Sequence, residues 1–61
     1  MIYRAKYDLY TRMNQLVKKD STWRFVSRNA DKNTYSLISL DGKTSIEVTD
    51  HLFQTWFKAV E

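Results

Sequence analysis

The sequence has no cysteine and no proline, and it has one glycine and one histidine in 61 residues. Without cysteine there is no disulfide framework and no thiolate metal site. With His51 alone there is no histidine cluster, and no metal or cofactor is expected to hold the fold. The missing proline and the single Gly42 argue against a linker or a low-complexity tail. No apolar run approaches the roughly 18 residues of a membrane span. The opening Met1-Ile2-Tyr3-Arg4-Ala5-Lys6 lacks the apolar run of a secretory leader, and Ile2 stands where N-myristoylation needs glycine. These absences, with the lack of cysteine, point to a cytoplasmic protein.

One domain, residues 1–61, is what this length allows. A chain so short buries only about 60% of its unfolded surface. Stability must then come from dense packing or self-association. Nine aromatic residues supply the packing: Tyr3, Tyr7, Tyr10, Trp23, Phe25, Tyr35, Phe53, Trp56 and Phe57. The net charge is +3, and it is unevenly spread. Residues 1–30 carry seven basic groups against two acidic ones, and residues 31–61 carry three against five. The first half therefore suits an anionic partner.

Residues 23–48 read as a three-stranded meander. Trp23 and Phe25 alternate with Arg24 and Arg28, although Val26 falls on the basic face. Phe25 is expected in the core. Residues 34–40 are rich in strand formers. Asp41-Gly42 is the pair that favours a two-residue type I′ turn, and residues 43–48 form the third strand with Ile46 and Val48 inward. The period then changes. Thr49 or Asp50 caps a terminal helix whose stripe is Leu52, Phe53, Trp56, Phe57 and Val60, with Lys58 near its C-terminal end. Residues 3–10 alternate as a strand through Tyr3, Ala5, Tyr7 and Leu9. Thr11 to Gln15 then make a turn, and Leu16-Val17 begin a second short strand. Alanine, leucine and methionine at helical spacing leave open an N-terminal helix over residues 3–18.

The Tyr3-x-Ala5-Lys6-Tyr7-Asp8 opening is followed by Gln15-Leu16-Val17-Lys18-Lys19-Asp20 running into Trp23-x-Phe25-Val26. A hairpin, Ile46-Glu47-Val48 and a final Phe53-x-x-Trp56-Phe57 complete a pattern covering nearly the whole chain. It resembles short SH3-like accessory proteins of phages and mobile elements of Gram-positive bacteria. The resemblance implies a mainly β fold, a small SH3-like barrel or meander with a C-terminal helix. The alternative fold is α+β, an N-terminal helix on a three-stranded antiparallel sheet. The resemblance also implies binding to proteins or nucleic acid, and it assigns no site residue. The chain departs from it at Asp20, where the turn is expected to carry glycine.

No constellation carries catalysis. Asp50 and His51 are adjacent at a helix start and point in different directions, so a triad has no orienting group. Glu47, Asp50 and His51 would make a weak, unselective metal site at most. A phosphate-cradling loop needs more than one glycine. Asp31, Asp41 and Asp50 fall at turns or caps, where aspartate has structural work. The basic-aromatic combination is the strongest signal. Arg4, Lys6, Arg12, Lys18, Lys19, Arg24 and Arg28 lie among Tyr3, Tyr7, Tyr10 and Trp23. If residues 3–10 pair with 23–28, Arg24 and Arg28 share an outer face with Arg4 and Lys6, a candidate surface for nucleic acid or another anionic partner. Trp56 and Phe57 are the candidate protein-interface aromatics, since two large rings on one turn crowd so small a core. The favoured function is a non-catalytic adaptor or inhibitor that binds another protein, with homodimerisation possible and no membrane partner. A nucleic-acid-binding module is the alternative.

Overall fold

The computed structural model describes residues 1–11 and 13–60; Arg12, one of the candidate cations, lies outside the described residues. Seven strands and one helix follow in the order β1 (Ile2–Ala5), β2 (Leu9–Tyr10), β3 (Leu16–Val17), β4 (Thr22–Asn29), β5 (Thr34–Ser39), β6 (Ser45–Thr49), α1 (Asp50–Trp56) and β7 (Phe57–Ala59). Five strands form one antiparallel sheet in the order β6-β5-β4-β1-β7, and β2 and β3 form a separate hairpin. The molecule is mainly β, but the sheet does not close into a barrel.

The N-terminal alternation does make a strand, so the helix over residues 3–18 is overturned among the described residues. It is not one continuous strand, however. Ala5 exchanges both backbone groups with the Asp20–Ser21 turn (3.0 and 2.8 Å), and the Lys6 N–H donates to the Trp56 carbonyl at 2.7 Å. The Asp8 carboxylate accepts the Lys19 N–H at 2.6 Å. These bonds draw the chain out of the sheet at residues 6–8. The hairpin then returns through a turn in which the Thr11 hydroxyl accepts from the N–H groups of Met13 and Gln15. Asn14 takes a left-handed φ of 59° in that turn.

At Lys18–Ser21 the expected glycine geometry is present without the glycine. The Ser21 N–H donates to the Lys18 carbonyl at 3.1 Å, and Asp20 itself adopts φ 70°. Aspartate visits this conformation more readily than most residues because its side chain is short and polar.

The meander is present with two corrections. The hairpin after β5 is wider than a two-residue type I′ turn. Ser39 pairs with Thr44 (N···O 2.8 Å), and the Gly42 N–H donates to Ser39 at 2.9 Å. Only Gly42 has the positive φ, 75°; Asp41 does not. Instead the Asp41 carboxylate accepts from the Ser39 hydroxyl and from the Lys43 N–H, bracing the loop from inside. Leu40 therefore leaves the strand and is exposed. The second correction is Phe25, which is half-buried and packs at the rim of the core. The core proper is Ala5, Leu9, Val17, Trp23, Leu37, Ile46, Val48 and Phe57. The β2–β3 hairpin lays Leu9 and Val17 onto the inner face of the sheet.

The terminal helix is shorter than its apolar stripe suggests. The Thr49 hydroxyl caps it, accepting from Leu52 N–H at 3.2 Å. It stops at Trp56, and Phe57 turns extended (φ −120°, ψ 148°). β1 has a free edge there, and β7 fills it, pairing Ala5 with Phe57, Arg4 with Lys58 and Tyr3 with Ala59. A longer helix would leave that edge of β1 without partners, a cost backbone groups rarely carry when buried. Lys58 thus sits on an edge strand and is not a helix-terminal cation.

Candidate functional site

Directly paired residues of a sheet lie on the same face. Register therefore sorts the candidate cations. Tyr3 pairs with Trp23 and Ile2 with Arg24, so Tyr3, Ala5, Trp23 and Phe25 face the core. Arg4 and Arg24 face outward, as expected. Arg28 does not join them. The register shifts between Phe25 and Ser27, a β-bulge that inserts Val26 and reverses the alternation after it. Arg28 is then opposite Tyr35, with its guanidinium 5.7 Å from the Tyr35 ring centroid, and bonds Asn33 Oδ1 at 3.1 Å. The broken alternation at Val26 was the sequence signal for this.

A cation that sequence reasoning missed takes its place. Lys58 is directly opposite Arg4 on the outer face. The alternation of Phe57 and Ala59 around it is the strand signal that the helical stripe masked. Lys6, Lys18 and Lys19 are exposed beyond the strand ends, and Lys19 is tied to Asp8 through its backbone. Among the described residues, the one ion pair is Arg4 Nε to Asp20 Oδ1 at 3.9 Å, between two exposed side chains. At that distance and exposure it contributes little.

The two candidate interface aromatics separate. Phe57 is 5% exposed and stacks on Phe53 with centroids 5.8 Å apart; it is a core residue and not an interface anchor. Trp56 is half-buried. The bend at residues 6–8 brings Tyr7 against it, edge to face, at 5.1 Å and 76°. Tyr7 is 56% exposed. The result is an aromatic ledge joining the start of the hairpin to the end of α1. A second chain of half-buried rings runs from Tyr3 through Phe53 (4.8 Å) and Tyr35 (4.3 Å, stacked) to Phe25 (6.0 Å). It packs α1 onto the sheet.

On the outer face of β4–β6 lies an open groove of about 630 Å³, walled by Met13 and Gln15 on one side and Val26 on the other. Gln15 Nε2 holds the hairpin tip to the Ser45 carbonyl at 3.1 Å. Two of the three residues weighed for metal or acid-base chemistry have local partners. Glu47 accepts from the Thr34 hydroxyl at 3.0 Å, Asp50 lies 3.4 Å from Gln54 Nε2, and His51 is exposed in the first helical turn. No three metal-ligating groups cluster among the described residues. None of the described helices is long and apolar enough to cross a membrane. Comparison with family models, curated proteins and solved structures returns no match.

Proposed function

We propose that this chain is a small SH3-like domain, of the kind carried by phages and mobile elements, that acts in the cytoplasm as a non-catalytic adaptor or inhibitor by binding another protein. The strand order supports the SH3-like reading. A hairpin is inserted between the first two long strands, three strands then meander, and the last strand returns beside the first. The local engagement of Asp50 and Glu47 in structural hydrogen bonds supports a role without catalysis.

The observation that carries the protein-binding reading is the ledge of Tyr7 on Trp56. Tyrosine and tryptophan offer large rigid area with few rotatable bonds, and they are over-represented among residues that dominate binding energy. Here Trp56 is anchored by its neighbours while Tyr7 stands free to meet a partner. The test is affinity capture from a bacterial lysate with and without nuclease, using wild type and a Tyr7→Ala variant. A specific protein retained after nuclease, with its affinity falling about 30-fold in the variant, supports the proposal; that is the effect of losing about 2 kcal/mol at a hot spot. Capture abolished by nuclease refutes it. Equal capture by the variant would remove the ledge from the interface.

A further inference from the structure

The outer face of strands β7, β1 and β4 carries three cations in a layout that packing does not require. Lys58 and Arg4 are directly opposite on neighbouring strands. Thr22 follows Arg4 in the same cross-strand row, and Arg24 lies one step along β4 on the same face. Like charges directly opposite one another destabilise a sheet. Strands at a sheet edge carry lysine to block edge-to-edge pairing. That reason covers Lys58 on β7, but not Arg4 or Arg24, whose strands are interior to the sheet. Among the described residues, the one acid in ion-pair distance of these three cations is Asp20, at 3.9 Å from Arg4. Glu47 shares the outer face but belongs to β6 at the far edge, where Thr34 occupies it.

We propose that this face binds the phosphate backbone of nucleic acid, through Lys58, Arg4 and Arg24. One phosphate between Arg4 and Lys58 would turn their mutual repulsion into two attractions. The Arg4 fork suits two phosphate oxygens, and Lys58 adds a point charge. Thr22 places a hydroxyl in the row, of the kind that positions a backbone without reading sequence. None of the residues that the register sets on this face, Ile2, Arg4, Thr22, Arg24 and Lys58, is aromatic. The contact is therefore to phosphates, with no base stacking and little sequence preference. An anionic membrane is the poorer fit, because surface attraction of that kind is built from clusters of about four to eight cations near an insertion element. The assignment is independent of the Tyr7–Trp56 ledge, which is built from other residues.

The test is fluorescence anisotropy with labelled mixed-sequence oligonucleotides of about 12 nucleotides, single-stranded and duplex. The proteins are wild type, an R4Q/R24Q/K58Q variant and a K32Q/K43Q control, with folding checked by circular dichroism. Three phosphate contacts give a log–log salt slope of about −2 for single strands and −2.7 for duplex. Raising salt from about 50 to 200 mM should then weaken binding about 20- to 40-fold. The triple variant should lose binding while the control and Tyr7→Ala keep it. A single substitution should reduce the slope by about one contact. Absence of saturable binding to either oligonucleotide at low salt overturns the proposal. So does equal binding by a folded triple variant, or binding to phosphatidylserine vesicles in preference to both oligonucleotides.

Discussion

Leu37 should be the most sensitive position in the protein. It is fully buried in β5, between Phe25 of β4 and Ile46 of β6. Leu37→Ala removes three carbons, a transfer loss of about 2.4 kcal/mol at about 0.8 per carbon. The site cannot collapse easily, because backbone pairing on both sides fixes the strands around it. A residual cavity then adds to the loss, bringing the cost to about 3–5 kcal/mol. A 61-residue chain at 0.05–0.15 kcal/mol per residue has about 3–9 kcal/mol in total. The variant should therefore lose from about a third to all of that stability. Phe25→Ala deletes a larger side chain but a half-exposed one, and water refills the space, so about 1.5–2.5 kcal/mol is expected, half the fully buried figure. Urea melts followed by far-ultraviolet circular dichroism measure both. If Phe25→Ala costs as much as Leu37→Ala, the placement of the core is wrong.

Two further outcomes follow from the turns. At Asp20, φ 70° penalises β-branched residues most, so Asp20→Val should cost more than about 1 kcal/mol. Asp20→Gly should be neutral or slightly stabilising, since relief of the backbone offsets the freer unfolded chain; thermal melts in which glycine is the worse substitution would refute the turn geometry. At Asp41, the Ser39 hydroxyl and then the Lys43 N–H hold the carboxyl below its ordinary value of 3.8. That contribution to stability is complete above the ordinary value and is lost as pH falls through the lowered one. Melting temperature measured down the acid limb should fall less steeply in Asp41→Asn than in wild type, and identical limbs would show that the loop bonds do not persist in solution.

The parts of the fold that the sequence made legible are those where one period dominates. Ile46 and Val48 alternate with Ser45 and Glu47, and both are buried. Thr49 was one of two possible caps, and the helix selected it. Failures came where tertiary pairing outweighed a local pattern. Leu52, Phe53, Trp56 and Phe57 fit a helix, but the pattern cannot show that β1 has an open edge. Pairing Phe57–Ala59 with that edge gives partners to the backbone groups of both β1 and β7. Likewise, Asp41-Gly42 favours a tight hairpin by itself. With Ser39 and Lys43 offering the Asp41 carboxylate two donors, the wider loop is the better-bonded one.

The candidate surfaces show the same dependence on register. Arg4, Arg24 and Arg28 are equivalent by composition, yet one inserted residue, Val26, sends Arg28 to the opposite face. Conversely, Lys58 is distant in sequence from the basic first half, and β7 sets it directly against Arg4. Net charge by halves therefore points to the first half alone, whereas the outer-face cations of β1, β4 and β7 include Lys58 from the second. The aromatic candidates divide for a related reason. Trp56 and Phe57 are neighbours at the point where helix gives way to strand. The change of backbone direction there drives Phe57 into the core beside Ala5 and leaves Trp56 at the rim, where the bend of residues 6–8 delivers Tyr7. The switch from α1 to β7 at Phe57 thus sets both Lys58 beside Arg4 and Trp56 at the rim, while Arg4 and Arg24 are placed by the β1–β4 register alone.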